Sequence, residues 1–91
     1  MDIKIALEVI SYLNTEFDSH DFIRKLLEKH PEEYGRFLVK HGNSGGNLAT
    51  ADGEISNFLA NHIDELQIIR NGKAYSPNIL GNYTETAAWH Q

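Results

Sequence analysis

The stretch from Thr50 to Ser76 constrains the fold of this chain more than any other part of its sequence. Apolar residues recur at the spacing of one helical face over residues 50–66. Soon afterwards comes Asn71-Gly72, a dipeptide that supplies the two positive φ angles of a two-residue hairpin turn. The stretch therefore predicts an amphipathic helix that runs directly into a β-hairpin over residues 67–76.

Three further helices are predicted before this stretch. The first, over residues 3–13, carries two neighbouring apolar stripes, so it is either central to the core or half-buried in a partner. In the run FDSHDF at residues 17–22, Asp18, His20 and Asp21 allow a metal or acid–base interpretation. The three-residue spacing of Asp18 and Asp21 is also that of a capping box, which favours the start of a second helix. Pro31 ends that helix and begins the third.

Two segments invite a ligand interpretation and lack the residues for it. The Gly-rich segment at residues 42–47 is not followed by Gly-Lys-Ser/Thr and has no strand before it, so it predicts a connector between helical layers. Residues 51–56 are similar to the end of an EF-hand loop, but alignment on Gly53 places Leu48 and Leu59 at ligand positions. We therefore expect neither a metal ion nor a small-molecule cofactor.

Length and charge limit the remaining classes. The 91 residues form one small domain, residues 1–91, and contain no cysteine, which fits a reducing compartment. The N-terminus lacks the pattern of a signal peptide, and no apolar run is long enough to span a membrane. We expect a cytoplasmic protein without membrane contact. Its net charge of −5 argues against non-specific binding to nucleic acid.

The predicted hairpin carries Arg70 and Lys73, the only Lys or Arg residues after Lys40. A turn at Asn71-Gly72 would place these two cations opposite each other, as a basic tip on an acidic half of the chain. Such a tip is either a contact for phosphate or a charged edge that keeps the sheet soluble. Beyond it, residues 77–91 predict a turn and a short helix from Thr84 to His90.

The predicted fold class is mainly α with a small β-hairpin, an α+β domain of four to five short helices. Its helical part covers residues 3–66, its hairpin residues 67–76, and its C-terminal turn and helix residues 77–91. Several helices followed by a helix and a hairpin resemble a winged-helix domain over residues 18–76. The FDSHD run is also similar to one in a small uncharacterised bacterial family, which implies no activity.

The winged-helix resemblance implies a regulatory module that binds DNA. Asn57 and Asn61, on the helix before the hairpin, would read base edges in the major groove, and Arg70 and Lys73 would contact phosphate. The alternative is a protein-interaction module, or a homodimer formed through the first helix. No nucleophile–base pair or paired carboxylates stand out, so we expect the chain not to be an enzyme.

Overall fold

The computed structural model of the protein describes residues 1–40 and 48–91, and the side chains of residues 1–37 and 51–91. The predicted connector at residues 42–47 lies outside these ranges. The described elements are five helices and three strands: α1 (Ile3–Ser11), β1 (Glu16–Asp18), α2 (Ser19–Lys29), α3 (Pro31–Lys40), α4 (Leu48–Asn61), α5 (Ile63–Leu66), β2 (Ile69–Pro77) and β3 (Tyr83–His90). The predicted α+β class is confirmed.

The capping box predicted at the start of α2 is confirmed. The Asp18 carboxylate accepts a hydrogen bond from the Asp21 amide at 2.8 Å, and the Asp21 carboxylate accepts one from the Asp18 amide at 3.0 Å. Both acids also lie at the positive end of the helix dipole. Phe17 and Phe22, on either side of the cap, are buried in the core. The acidic run is thereby accounted for as a helix start.

Pro31 separates α2 from α3, as predicted. It occupies the first position of α3, where the missing N–H costs no hydrogen bond. Glu32 and Glu33 follow it in the first turn. His30, the last residue before Pro31, ends α2 in a non-helical conformation. The two helices therefore meet at a bend that the local sequence specifies.

The single helix predicted over residues 50–66 is two helices in the structure. The break lies at His62, whose φ of −128° leaves the helical range. Ile63, predicted on the inward face, is exposed, whereas Leu66 and Ile68 are buried. The chain therefore enters the core again at Leu66 and Ile68, after the break.

The hairpin was predicted at the wrong position, and the predicted C-terminal helix is a strand. Asn71 and Gly72 lie within β2, and the connection between paired strands is at residues 78–82. The segment from Thr84 to His90 belongs to β3, not to a helix. The three strands form one antiparallel sheet in the order β1-β3-β2, so β3 is the central strand. Pairing on both sides overrides the helical preference of its alanines.

Asn71 and Gly72 form a β-bulge. Arg70 pairs with Trp89 and Lys73 pairs with Ala87, so two residues of β2 lie opposite one residue of β3. Gly72 has a φ of 75°, which a residue with a side chain rarely adopts. Some types of β-bulge and the two-residue hairpin turn both favour glycine at a positive φ, and for this reason the dipeptide was misread as a turn.

The core lies between α1, α2, α4 and the sheet. Trp89 of β3 is almost fully buried and is the only tryptophan of the chain. The other large side chains of the described core are Val9, Ile10, Phe17, Phe22, Ile23, Leu26, Tyr34, Ile55, Leu59, Leu66 and Ile68. The last strand is therefore an integral part of the core, and its pairing fixes the position of the hairpin relative to α2.

Candidate functional site

The four residues predicted to contact DNA do not form one described cluster. Asn57 and Asn61 are exposed on α4, four residues apart and hence on the same side of the helix. Arg70 and Lys73 lie on one strand, with the bulge between them, and do not face each other. The predicted basic tip is therefore not present in the form expected.

Both cations already have partners within the protein. The Arg70 Nε atom donates to the Gly72 carbonyl at 2.8 Å, and its guanidinium lies 5.6 Å from the centre of the Trp89 ring. The Lys73 ammonium pairs with the Glu85 carboxylate at 3.1 Å. Arg70 braces the bulge, and Lys73 is offset by an acid on the neighbouring strand. Both side chains remain exposed, so an ion from outside could still approach them.

The end of the hairpin exposes three large apolar side chains, Tyr75, Leu80 and Tyr83, which we call the hairpin surface. Their exposed fractions are 71%, 68% and 60%. The two tyrosine rings lie 5.7 Å apart between centroids and are tilted by 40°. Large apolar groups at this exposure, grouped at one end of a protein, are typical of an interaction site.

The turn that joins the strands is internally braced. The Asn78 side-chain oxygen accepts hydrogen bonds from the amides of Leu80 at 2.9 Å and Asn82 at 3.0 Å. The Asn78 amide also donates to the Asn82 carbonyl at 2.9 Å. Because these three bonds fix the backbone, Leu80 is presented from a preorganised turn.

A cleft of about 590 Å³ lies between α2, α4 and the hairpin. Its size falls within the range of about 300–1,000 Å³ that small-ligand sites occupy. Leu80 belongs to both the cleft and the hairpin surface, so the two features adjoin. The residues that line the cleft are His20, Ile23, Asp52, Gly53, Ser56, Asn78, Leu80, Thr84, Glu85, Thr86 and Ala87.

His20 connects α2 to the hairpin at one side of this cleft. Its Nδ1 atom lies 2.9 Å from the Ser76 hydroxyl, and its Nε2 atom lies 3.3 Å from the Thr84 hydroxyl. Ser76 and Thr84 are directly paired across β2 and β3. The imidazole therefore links the second residue of α2 to the paired strands of the hairpin, and each of its ring nitrogens faces a neutral hydroxyl.

Asp52 supplies a partly buried carboxylate to the same cleft. Its Oδ1 atom accepts a hydrogen bond from the Tyr34 hydroxyl at 2.8 Å. Burial raises the pKa of Asp52, while the Tyr34 bond and the nearby His20 act in the opposite direction. Burial, with Asp52 beside it, also raises the pKa of Tyr34 above its ordinary value. The carboxylate is thus held where its charge is costly.

A second polar link joins three elements beneath the cleft. The Trp89 indole N–H donates to the Ser19 hydroxyl at 3.0 Å, and that hydroxyl lies 2.9 Å from the Ser56 hydroxyl. Because Ser19, Ser56 and Trp89 come from α2, α4 and β3, the walls of the cleft are held at fixed positions. Nothing local in the sequence indicates this arrangement.

The first helix is largely a core element. Ala6 and Ile10 of one predicted apolar stripe and Val9 of the other are buried, so both stripes contribute to the core. Leu7 and Tyr12 are exposed at 42% and 53%, and the Lys29 ammonium lies 4.7 Å from the Tyr12 ring centre. A homodimer through α1 stays a prediction, and the hairpin offers more exposed apolar surface.

Comparison with known proteins adds no relative: no family model, curated protein or solved structure matches this chain. Within residues 1–40 and 48–91, no group of three or more potential ligands is placed to hold a metal ion. Across the same ranges, no helix combines the length and apolar character that a bilayer-spanning segment needs. The functional argument therefore rests on the hairpin surface and the adjoining cleft.

Proposed function

We propose that this chain is a non-enzymatic interaction module of the cytoplasm that binds a partner protein through its hairpin surface. The observation that supports the proposal is the exposure of Tyr75, Leu80 and Tyr83 at one end of the hairpin. Tyrosine is enriched at protein interfaces because it buries a large apolar body while its hydroxyl keeps a hydrogen-bond partner.

The hairpin surface is also preorganised. Tyr75 and Tyr83 are held on paired strands, and the turn that carries Leu80 is fixed by the Asn78 side chain. Side chains on a rigid backbone lose less conformational entropy when they bind, so more of their contact energy contributes to affinity.

Charge favours a basic partner protein over a second copy of the chain. The net charge of −5 makes two copies repel each other, and it attracts a partner of opposite charge. The same charge opposes nucleic acid, whose phosphates need cations. Near the hairpin surface, the one lysine of β2, Lys73, is already paired with Glu85. These relations together favour a protein of positive charge.

Photo-crosslinking in the cells from which the chain derives would test this proposal. p-Benzoylphenylalanine would replace Tyr75 in one variant and Tyr12 in a control, because Tyr12 is also exposed but lies at the C-terminal end of α1. We expect the probe at position 75 to give one discrete adduct with another protein. The control position should not give that adduct.

A further variant makes the experiment specific to the hairpin surface. Tyr83→Ser, combined with the probe at position 75, should abolish the adduct because it removes the neighbouring ring. No adduct at position 75, or the same adduct at position 12, would contradict the proposal. An adduct with a second copy of the chain would contradict a separate partner protein and would support a homodimer through the hairpin surface.

DNA is the second candidate, and the exposed pair Asn57 and Asn61 favours it. Amide side chains one turn apart on an exposed helix suit hydrogen bonds to adenine in the major groove. The helical segment of α4 and α5, followed by a hairpin, resembles the arrangement in winged-helix domains, in which Arg70 and Lys73 would contact phosphate.

Titration of duplex DNA across a salt series would test this second candidate. The variant Arg70→Glu/Lys73→Glu should lose binding, whereas Lys4→Glu/Lys29→Glu, which changes the net charge equally, should retain it. Absence of binding at low salt, or equal losses in both variants, would refute the assignment, because phosphate contacts strengthen as salt falls.

A further inference from the structure

We propose that the cleft between α2, α4 and the hairpin receives the guanidinium of an arginine side chain from the partner protein, with Asp52 as its counter-charge. The inference rests on the proposed function, since Leu80 belongs to both the cleft and the hairpin surface. A segment of the partner that packs on the hairpin surface would therefore reach the cleft with an adjacent side chain.

The charge of the cleft favours a cation. Its described lining contains the carboxylates of Asp52 and Glu85 and neither Lys nor Arg. Glu85 is paired with Lys73 at 3.1 Å, so Asp52 supplies the charge that a ligand would meet. The described hydrogen bond to the Asp52 side chain comes from the neutral Tyr34 hydroxyl, which leaves the negative charge in place.

The geometry of a carboxylate suits a guanidinium better than an ammonium. A carboxylate has two oxygens and about four acceptor sites, and the Tyr34 hydroxyl occupies one of them. A guanidinium can bind the remaining sites through two parallel N–H groups. It is also more weakly hydrated than an ammonium, so it loses less on entering a partly buried site.

The rest of the lining fits the remainder of an arginine side chain. Leu80 and Ala87 supply apolar surface for its methylene stem. The Ser56 hydroxyl from α4 and the Thr86 hydroxyl from β3 supply oxygen atoms to the lining of the cleft. An arginine carries five N–H donors, so more than one acceptor is needed to satisfy it.

Burial disfavours the charged form of the Asp52 carboxyl group, and a bound cation would offset this loss of solvation. Burial is the largest influence on its carboxyl group. A buried carboxylate is stabilised when an opposite charge approaches closely. Residues that reduce stability without a partner and gain from one are typical of binding sites, where function competes with folding.

NMR titration of the full chain would test the cleft with defined probes. The probes are N-acetyl-arginine-N-methylamide, its lysine counterpart, and its citrulline counterpart, which has the shape of arginine without the charge. We expect saturable shifts in the amides of Gly53, Ser56 and Thr86 with the arginine probe, at a dissociation constant in the millimolar range. The citrulline probe should bind about tenfold more weakly or worse, since it lacks a charge-assisted hydrogen bond.

The variant Asp52→Asn keeps an acceptor for the Tyr34 hydroxyl and removes the charge. It should weaken the arginine probe by about tenfold or more, as expected for loss of a charged hydrogen-bond partner. Asp64→Asn is the matched control, because Asp64 is an exposed acid on α5 outside the cleft. If Asp52→Asn fails to fold, Thr86→Lys should abolish binding by placing a competing cation in the cleft.

Equal binding of the arginine and citrulline probes, or binding unaffected by Asp52→Asn, would overturn the proposal. A lysine probe that binds as tightly as the arginine probe would overturn the guanidinium assignment. Adducts from position 75 without probe binding would refute the arginine site in the cleft and leave the proposed partner protein. Probe binding without any adduct would refute the proposed partner protein and leave the cation site.

Discussion

The indole N–H of Trp89 donates a hydrogen bond to the hydroxyl of Ser19 at 3.0 Å, across 70 positions of sequence. Ser19 is the first residue of α2, and Trp89 is near the end of the central strand. Both side chains are buried, at 1% exposure. A buried indole N–H without an acceptor would be costly, so this contact fixes α2 against the sheet.

Ser19→Ala should lower the free energy of unfolding by about 1–3 kcal/mol, because it leaves the Trp89 N–H without its acceptor. Urea unfolding followed by Trp89 fluorescence would measure the change. Ser11→Ala, at an exposed position on α1, is the control and should change the stability by less than about 0.5 kcal/mol. Equal losses in the two variants would contradict the role of the indole bond.

Asp52→Asn should increase stability at neutral pH. Because burial raises the folded-state pKa of Asp52, the folded protein binds this proton more tightly than the unfolded chain does. The stability contributed by the protonated form is present at low pH and lost as pH rises through the folded pKa. Urea unfolding from pH 4 to 8 should therefore show the advantage of the variant growing with pH, then levelling.

Asp64→Asn is the comparison for this series, since Asp64 is exposed on α5. Its difference from the wild type should not follow the same course with pH. A constant difference between Asp52→Asn and the wild type across the range would rule out a costly carboxylate in the cleft.

His30 should also make stability depend on pH, at the contact between α1 and the end of α2. Its pKa is raised by a hydrogen bond, whereas that of Asp52 is raised by burial. The hydrogen bond from its ring to Glu8, at 2.9 Å, is the main reason that the pKa of His30 is raised, and Glu32 adds to it. The stabilisation is complete below the unfolded pKa of about 6.5 and is lost as pH rises through the folded pKa.

Glu8→Gln should therefore lower the pKa of His30, and an NMR titration of its ring protons would measure the change. Glu32→Gln should lower it less, since the Glu32 oxygen lies 3.6 Å from the ring, farther than that of Glu8. A pKa that does not change in Glu8→Gln would show that this contact does not persist in solution.

Gly72→Ala should destabilise the protein by about 1–2 kcal/mol, the cost of a side chain in the left-handed conformation. Apart from Gly72 and its two chain neighbours, no atom of the residues that the structure describes lies within 4 Å of the added methyl group, so backbone strain is the cause and crowding is not. Gly35→Ala, within α3, should instead stabilise by about 0.5–1 kcal/mol, because alanine favours a helix. Urea unfolding would give both signs.

Opposite signs for the two glycines would support the positive φ of Gly72. A neutral Gly72→Ala would mean that β2 does not hold this conformation in solution, and the pairing of Lys73 with Ala87 would then be in question.

The features that the sequence predicted correctly are those decided within a few residues. The capping box of Asp18 and Asp21 needs only a spacing of three and a free helix end, and Pro31 ends a helix wherever it falls. The cleft could not be predicted in this way. His20, Asp52 and Thr84 belong to three elements far apart in the sequence, and no local pattern shows that they meet.

The sequence by itself determined the positions of α2 and α3, their boundary at Pro31, and the need for a positive φ at Gly72. Whether that glycine formed a turn or a bulge was decided by strand pairing. The central position of β3 buries Trp89 and satisfies its backbone on both sides, so it outweighs the local preference for a helix. Only the tertiary structure could decide this, because the free energy comes from contacts between segments that the sequence separates.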